Sequence, residues 1–290
     1  MKSIGPIIEK TEAFFVFDVF QKSNESIMYI GKDDREIISL YDKLLWLLPK
    51  NKILLYRAWD QIPYDNISPS KEIQSTRLET LCYLNLNKNQ KIIVLTTTNA
   101  IIQKTIPPKE LKKHYIKITK NSKLQIDKIS NKLLKLGYER TSIVRDKSEF
   151  AIRGSIIDIF VTQFKQPIRI DLLNEDIESI FEFDPITQQR TNKFHFNAIV
   201  INPSSELIIE LDNLNKFRNN FRKIFQDYRK SQVYQLFSEG LIPSGGEQYL
   251  PLFYDKLETI FEYIQNFNLI FHNDIEETIE ERIENLIDYY

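Results

Sequence analysis

The chain has 290 residues, 42% of them hydrophobic and 12% aromatic, enough for two domains or for one domain with an insertion. Its 39 basic and 40 acidic residues leave a formal charge of -1, which argues against a surface that is one nucleic-acid footprint but allows a local basic patch. One cysteine, Cys82, excludes an internal disulfide framework and fits a reducing cytoplasm, and the three histidines, His114, His195 and His272, lie too far apart in sequence to read as a metal site. There is neither a basic-then-apolar leader nor a run of about 20 apolar residues, so no membrane span is expected.

In chain order, residues Ser3 to Gln21 read as a loop followed by a helix. Gly5, Lys10 and Thr11 resemble a phosphate loop, which uses glycines to close consecutive N–H groups on phosphate. The spacing is one residue short, the second glycine is missing, and Glu9 puts a carboxylate where phosphate would lie, so the segment is expected to be an ordinary helix start. Ser26 to Ile30 reads as a strand ending at Gly31. Asp33 is placed to cap a helix that runs to Leu48 on the spacing of Ile37, Leu40, Leu44 and Leu48, before Pro49 stops it. Ile53 to Tyr56 is a strand, Arg57 to Pro69 a loop, Glu72 to Leu84 a helix and Lys91 to Leu95 a strand. Thr96 or Thr97 is placed to cap a short helix, and Pro107-Pro108 closes this unit. Alternating strands and helices predict a parallel sheet covered on both faces.

Tyr115 to Thr119 alternates as a strand. Ser122 is placed to cap a helix carrying Ile126, Ile129, Leu133 and Leu136, with Gly137 at its C-terminal cap. From Phe150 to Ile186 the period becomes two, with turn chemistry between the runs, which predicts an antiparallel meander. On its Ile168–Leu173 strand, Ile168, Ile170 and Leu172 share one face, and Arg169, Asp171 and Leu173 share the other. Arg153 precedes Gly154, where a bulge would re-aim its side chain. An arginine beside an apolar anchor is favoured at protein interfaces, although solvated surface arginines are the blander reading. Asp212 to Tyr228 reads as a helix whose Lys216, Arg218, Arg222 and Lys223 form a basic face. Leu257 to Phe267 reads as helical, Leu269 to Phe271 as a strand, and Asp274 to Tyr290 as a helix with no Gly, Asn or Pro exit, as if cut from something longer. The expected division is 1–114, 115–203 and 204–290.

The run Trp59-Asp60-Gln61-Ile62-Pro63-Tyr64-Asp65-Asn66-Ile67-Ser68-Pro69, with Ile73 and Ser75-Thr76-Arg77-Leu78 after it, resembles the amino-terminal part of the bacterial transcription-repair coupling factors, the Mfd family. So do Arg153-Gly154, the Ile156 to Phe160 run, Arg169-Ile170-Asp171 and Phe183-Asp184, and then Gly246-Glu247-Gln248-Tyr249-Leu250-Pro251-Leu252-Phe253. The resemblance covers most of residues 50 to 260. It implies an α/β fold of UvrB-like type: a degenerate RecA-like domain in two segments, flanking a small α+β domain with an antiparallel sheet. It implies that the small domain binds UvrA through two arginines and an apolar residue, which fall on Arg153, Arg169 and Leu173; the last is often Phe in the family.

The resemblance further implies a chain with no cofactor and no chemistry of its own, in the cytoplasm, in which guanidinium forks pair with carboxylates on UvrA. RNA polymerase, DNA, and the ATP and Mg of a translocase would be met by a further carboxy-terminal part, on whose motor this sheet could also dock. The alternative expectation is a fragment of an active UvrB-like ATPase acting on damaged DNA. The broken phosphate loop, and the absence of an aromatic hairpin from the short Arg57 to Pro69 segment, speak against it.

Overall fold

The computed structural model describes residues 11–49, 52–61 and 65–288, without the side chains of 192–194. Gly5 to Lys10, where a phosphate loop was considered, and Ile62 to Tyr64 of the family-like run lie outside these residues. In chain order the elements are α1 (Glu12–Lys22), β1 (Ser26–Gly31), α2 (Asp34–Leu45), β2 (Ile53–Tyr56), α3 (Lys71–Leu86), β3 (Ile93–Thr97), α4 (Thr98–Ile102), α5 (Pro108–Lys113), β4 (Ile116–Thr119) and α6 (Ile126–Lys135). They continue with β5 (Glu139–Arg140), β6 (Glu149–Arg153), β7 (Ile156–Ile159), β8 (Ile168–Leu173), β9 (Asp176–Phe183), β10 (Arg190–His195), β11 (Ala198–Ile201), α7 (Leu211–Ile224), α8 (Gln232–Ser238), β12 (Phe267–Phe271) and α9 (Ile275–Asp288). The chain gathers into two compact units. The first holds residues 1–59, 83–104 and 259–290; the second holds 60–82 and 105–258.

The first unit is a four-stranded parallel sheet in the order β12-β1-β3-β2. Every residue of β1 and β3 is buried, as expected of strands covered on both faces. One core joins the apolar stripes of α1 and α2 to the sheet: Val16 and Phe20, Ile37, Leu40 and Leu44, then Ile27, Tyr29, Ile93 and Leu95. The Asp33 carboxylate accepts the N–H of Glu36 and so caps α2, and Thr97 caps α4 through the N–H of Ala100. The helix α2 ends at Leu45, three residues short of the expected Leu48, although Leu48 still reaches the core.

The second unit carries a six-stranded sheet in the order β10-β9-β8-β7-β6-β5, antiparallel except for the short β5–β6 pair, and a two-stranded ribbon of β4 and β11. The mixed α/β class with an antiparallel sheet in its middle portion is therefore the observed one. A row of Phe150, Ile157, Ile159, Ile168, Ile170, Leu172, Ile177 and Ile180 is buried, as are Ile129 and Leu133 of α6. Further along the chain Phe217 packs on Phe221, Phe237 and Phe253 with ring centroids 4.7–5.3 Å apart.

Several local expectations change. Ser122 does not cap α6: its hydroxyl donates to the Thr119 carbonyl, while Leu124 N–H donates to the Glu175 carbonyl, so this segment ties onto the β8–β9 turn and the helix begins at Ile126. Pro108 opens α5, where a proline's missing N–H costs nothing. The expected helix from Leu257 to Phe267 is one 3-10 turn, Ile260–Tyr263, because the Glu258 backbone exchanges two hydrogen bonds with Thr105 and so draws the segment extended. The helix expected over Asp212 to Tyr228 stops at Ile224. Its basic face is partly used internally: Lys216 pairs with Asp255, Arg218 donates to the Ser238 carbonyl, and Arg222 to the Tyr234 hydroxyl.

Candidate functional site

The candidate face is built by strand register. Directly opposed residues of an antiparallel pair lie on the same side of the sheet. Arg169 of β8 opposes Asp158 of β7 on one side and Phe181 of β9 on the other. Asp158 in turn opposes Ala151 of β6, so Arg153, two residues on, shares the same face. Arg153 does not sit at a bulge. It makes the last pair of β6 with Ile156, and Gly154-Ser155 forms a two-residue hairpin turn with positive φ at Gly154 alone, the type II′ pattern. Irregularities lie elsewhere: between Asp171 and Leu172, where β9 carries one extra residue, and between Arg190 and His195 of β10. Alternation along β8 holds: Ile168, Ile170 and Leu172 are buried, Arg169 and Asp171 half-buried, and Leu173 is 64% exposed.

The two guanidinium groups are not open forks awaiting a partner. Both are gathered on one fully buried carboxylate. Arg153 Nη2 donates to Asp158 Oδ2 at 2.5 Å, and Arg169 grips both oxygens, Nε to Oδ1 at 2.6 Å and Nη2 to Oδ2 at 2.9 Å. Arg169 Nη1 adds a bond to the Gln188 carbonyl, and its guanidinium carbon lies 4.4 Å from the Phe183 ring centroid. The side chain of Arg169 is 15% exposed, that of Arg153 42%. Bonding to Asp158 holds the Arg169 guanidinium even more firmly charged than an ordinary arginine. A small apolar cluster of Val144, Ala151, Phe160 and Phe183 adjoins it.

The roles of the expected residues therefore separate. Arg169 is largely spent on internal contacts and fixes the face; Arg153 and Leu173 are what the face presents outward. Sequence reasoning passed over Asp158. Its signal was in view: a carboxylate in the middle of the apolar run Ile156-Ile157-Asp158-Ile159 has to be compensated, and the arginine directly across the strand is the compensation.

A model of the UvrB interaction domain matches residues 116–207, which run from β4 through β11 and include the whole arginine face. Over 97% of its length the chain is 32% identical to a transcription-repair-coupling factor of Rickettsia bellii and 27% identical to that of Escherichia coli. Over 90% of its length it is 26% identical to that of Bacillus subtilis. Over nearly its whole length this chain is similar to the transcription-repair-coupling factors. It spans about a quarter of their length, covering 25% of the Rickettsia protein and 24% of the Escherichia one. The face of Arg153, Asp158 and Arg169 is thus a feature of a UvrB interaction domain. Elsewhere in the second unit Cys82 is fully buried and burial pushes its thiol up to about 12, so it stays protonated and unreactive at neutral pH. Among the described residues no helix is long and apolar enough to cross a membrane.

Proposed function

We propose that this chain is a non-catalytic UvrA-recruiting module of a transcription-repair-coupling factor, through which a stalled RNA polymerase is connected to nucleotide excision repair. The observation that carries the reading is the face just described: an exposed guanidinium edge on Arg153, tied to a buried carboxylate, and an exposed apolar Leu173, both inside the UvrB interaction domain. Arg153 supplies N–H donors to a carboxylate of UvrA, and Leu173 fills an apolar recess. Contacts to RNA polymerase and DNA, and ATP- and Mg-dependent translocation, belong on this proposal to the rest of such a factor.

The test is the affinity of the purified chain for UvrA after Arg153→Glu and, separately, Leu173→Asp. Each is expected to weaken binding by about ten-fold or more, the mark of a residue at the energetic centre of an interface. Affinity within two-fold of wild type for both removes the proposal. Arg169→Glu is the poorer probe, because it buries a second carboxylate beside Asp158 and loses the fold along with the surface.

A further inference from the structure

The patch of Arg153, Arg169 and Leu173 covers only β6 to β8, about 10 Å across the strands at roughly 4.8 Å per spacing. A specific complex buries about 800 Å² on each partner, so the contact must extend along the sheet. Toward β5 two lysines are paired internally, Lys71 with Glu139 and Lys147 with Glu79. Toward β10 the exposed cation among the described residues is Arg190. Arg190 opposes Phe183, which puts it on the same side of the sheet as Arg169. It is exposed, its guanidinium carbon lies 4.1 Å from the Phe181 ring centroid, and its Nη2 lies 2.7 Å from His195 Nδ1. Arg169 over Phe183 and Arg190 over Phe181 are thus two arginine–aromatic pairs side by side. A guanidinium stacked on a ring keeps its N–H edge turned outward with little freedom left to lose on binding.

The turn between β9 and β10 continues this surface. Ile186 at its tip is 90% exposed. The turn is braced from beneath: Asp184 accepts the N–H groups of Ile186 and Thr187, Gln188 donates its amide to the Val144 carbonyl, and the Gln188 carbonyl receives Arg169 Nη1. An apolar side chain held in water by a rigid turn is an anchor in search of a recess.

Resting on the reading that this face binds UvrA, we infer that the contact continues across β9 to β10, with Arg190 as a further guanidinium and Ile186 as a second apolar anchor. The partner surface this requires is acidic, with two apolar recesses separated by about the length of β9, roughly 25 Å at 3.4 Å per residue. Both residues lie within the matched UvrB interaction domain, and strand register puts Arg190 on the face that Arg153 and Leu173 occupy.

The experiment titrates UvrA into the full chain carrying Arg190→Glu, Arg190→Gln, Ile186→Asp or, as the reference, Arg153→Glu, each first checked for wild-type thermal unfolding. Arg190→Glu and Ile186→Asp are expected to weaken binding about ten-fold each, and Arg190→Gln less, with a shallower salt dependence than wild type. If Arg153→Glu weakens binding while Arg190→Glu and Ile186→Asp stay within two-fold of wild type, the extension is overturned and the proposed function stands. If Arg153→Glu is also silent, or the wild-type chain does not bind UvrA, both are overturned.

Discussion

Asp158→Asn tests whether one carboxylate organises the whole arginine face. Asp158 is 0% exposed and accepts three N–H bonds at 2.5–2.9 Å from two guanidinium groups. The asparagine offers one acceptor oxygen where the carboxylate offers two, and turns an NH₂ toward a guanidinium. Charge-assisted bonds contribute about 1 kcal/mol more than neutral ones, so weakening three of them costs about 3 kcal/mol. Removing one partner of a buried ion pair costs about 3–5 kcal/mol, and the substitution belongs at the lower end because it keeps the shape and one acceptor. In a unit of this size that lowers the melting temperature by roughly 10 °C. Urea unfolding followed by circular dichroism reads it directly. Asp171→Asn is the control: Asp171 lies on the same face, is half-buried and accepts the Ser179 hydroxyl, so it should cost no more than about 1 kcal/mol. If Asp158→Asn costs under 1 kcal/mol, or no more than the control, the carboxylate does not hold the face and the reasoning fails.

Two glycines with positive φ should respond differently to alanine. At Gly245 an added Cβ would come within 2.8–2.9 Å of the Asp65 and Asn66 backbone, so Gly245→Ala should cost well over 2 kcal/mol; at Gly154 nothing lies within 4 Å, and only the backbone strain of about 1 kcal/mol remains. Equal midpoints in urea for the two variants would contradict this. Burial of His114 lowers its pKa below the usual histidine value of 6.5, against the opposing pull of Glu210. A depressed histidine contributes stability that is fully present above its unfolded pKa of about 6.5 and is lost as pH falls below that value through the lower folded pKa, so stability should drop below pH 6.5, at no more than about 1.4 kcal/mol per pH unit. His114→Gln should flatten that drop, and an unchanged pH profile in the variant would refute the assignment. Arg77 is fully buried, and its Nε meets Glu206 at 2.7 Å; Arg77→Met leaves that carboxylate with the Thr105 hydroxyl and the Ile106 N–H and should cost about 3 kcal/mol, while a thermal melt within 2 °C of wild type would show the pair to be dispensable.

Strands β7 to β9 were legible because alternation is a short-range signal, and burial along β8 follows the pattern of its letters residue by residue, whereas β5, β10 and β11 were not read. Helix caps built on a single side chain, Asp33 and Thr97, were legible for the same reason. What failed depended on a distant strand. Ser122 reads as a cap until the β8–β9 turn captures its neighbours, and Leu257 to Phe267 reads as a helix until Thr105 pairs with Glu258. The candidate residues were placed on the right face by parity alone. Their bonding was not, because Asp158 and Arg169 are eleven positions apart and meet only once the β7–β8 register is set.

The order of strands in the parallel sheet has a consequence for synthesis. β1 is wholly buried, yet one of its two neighbours, β12, is the last strand among the described residues. From the moment Gly31 emerges until Phe271 follows, at roughly 10 residues per second, more than 20 s pass in which one rim of β1 has no mate. A nascent chain in that interval offers other chains an unprotected hydrophobic template, so slow translation or early termination between those residues should favour aggregates over soluble product.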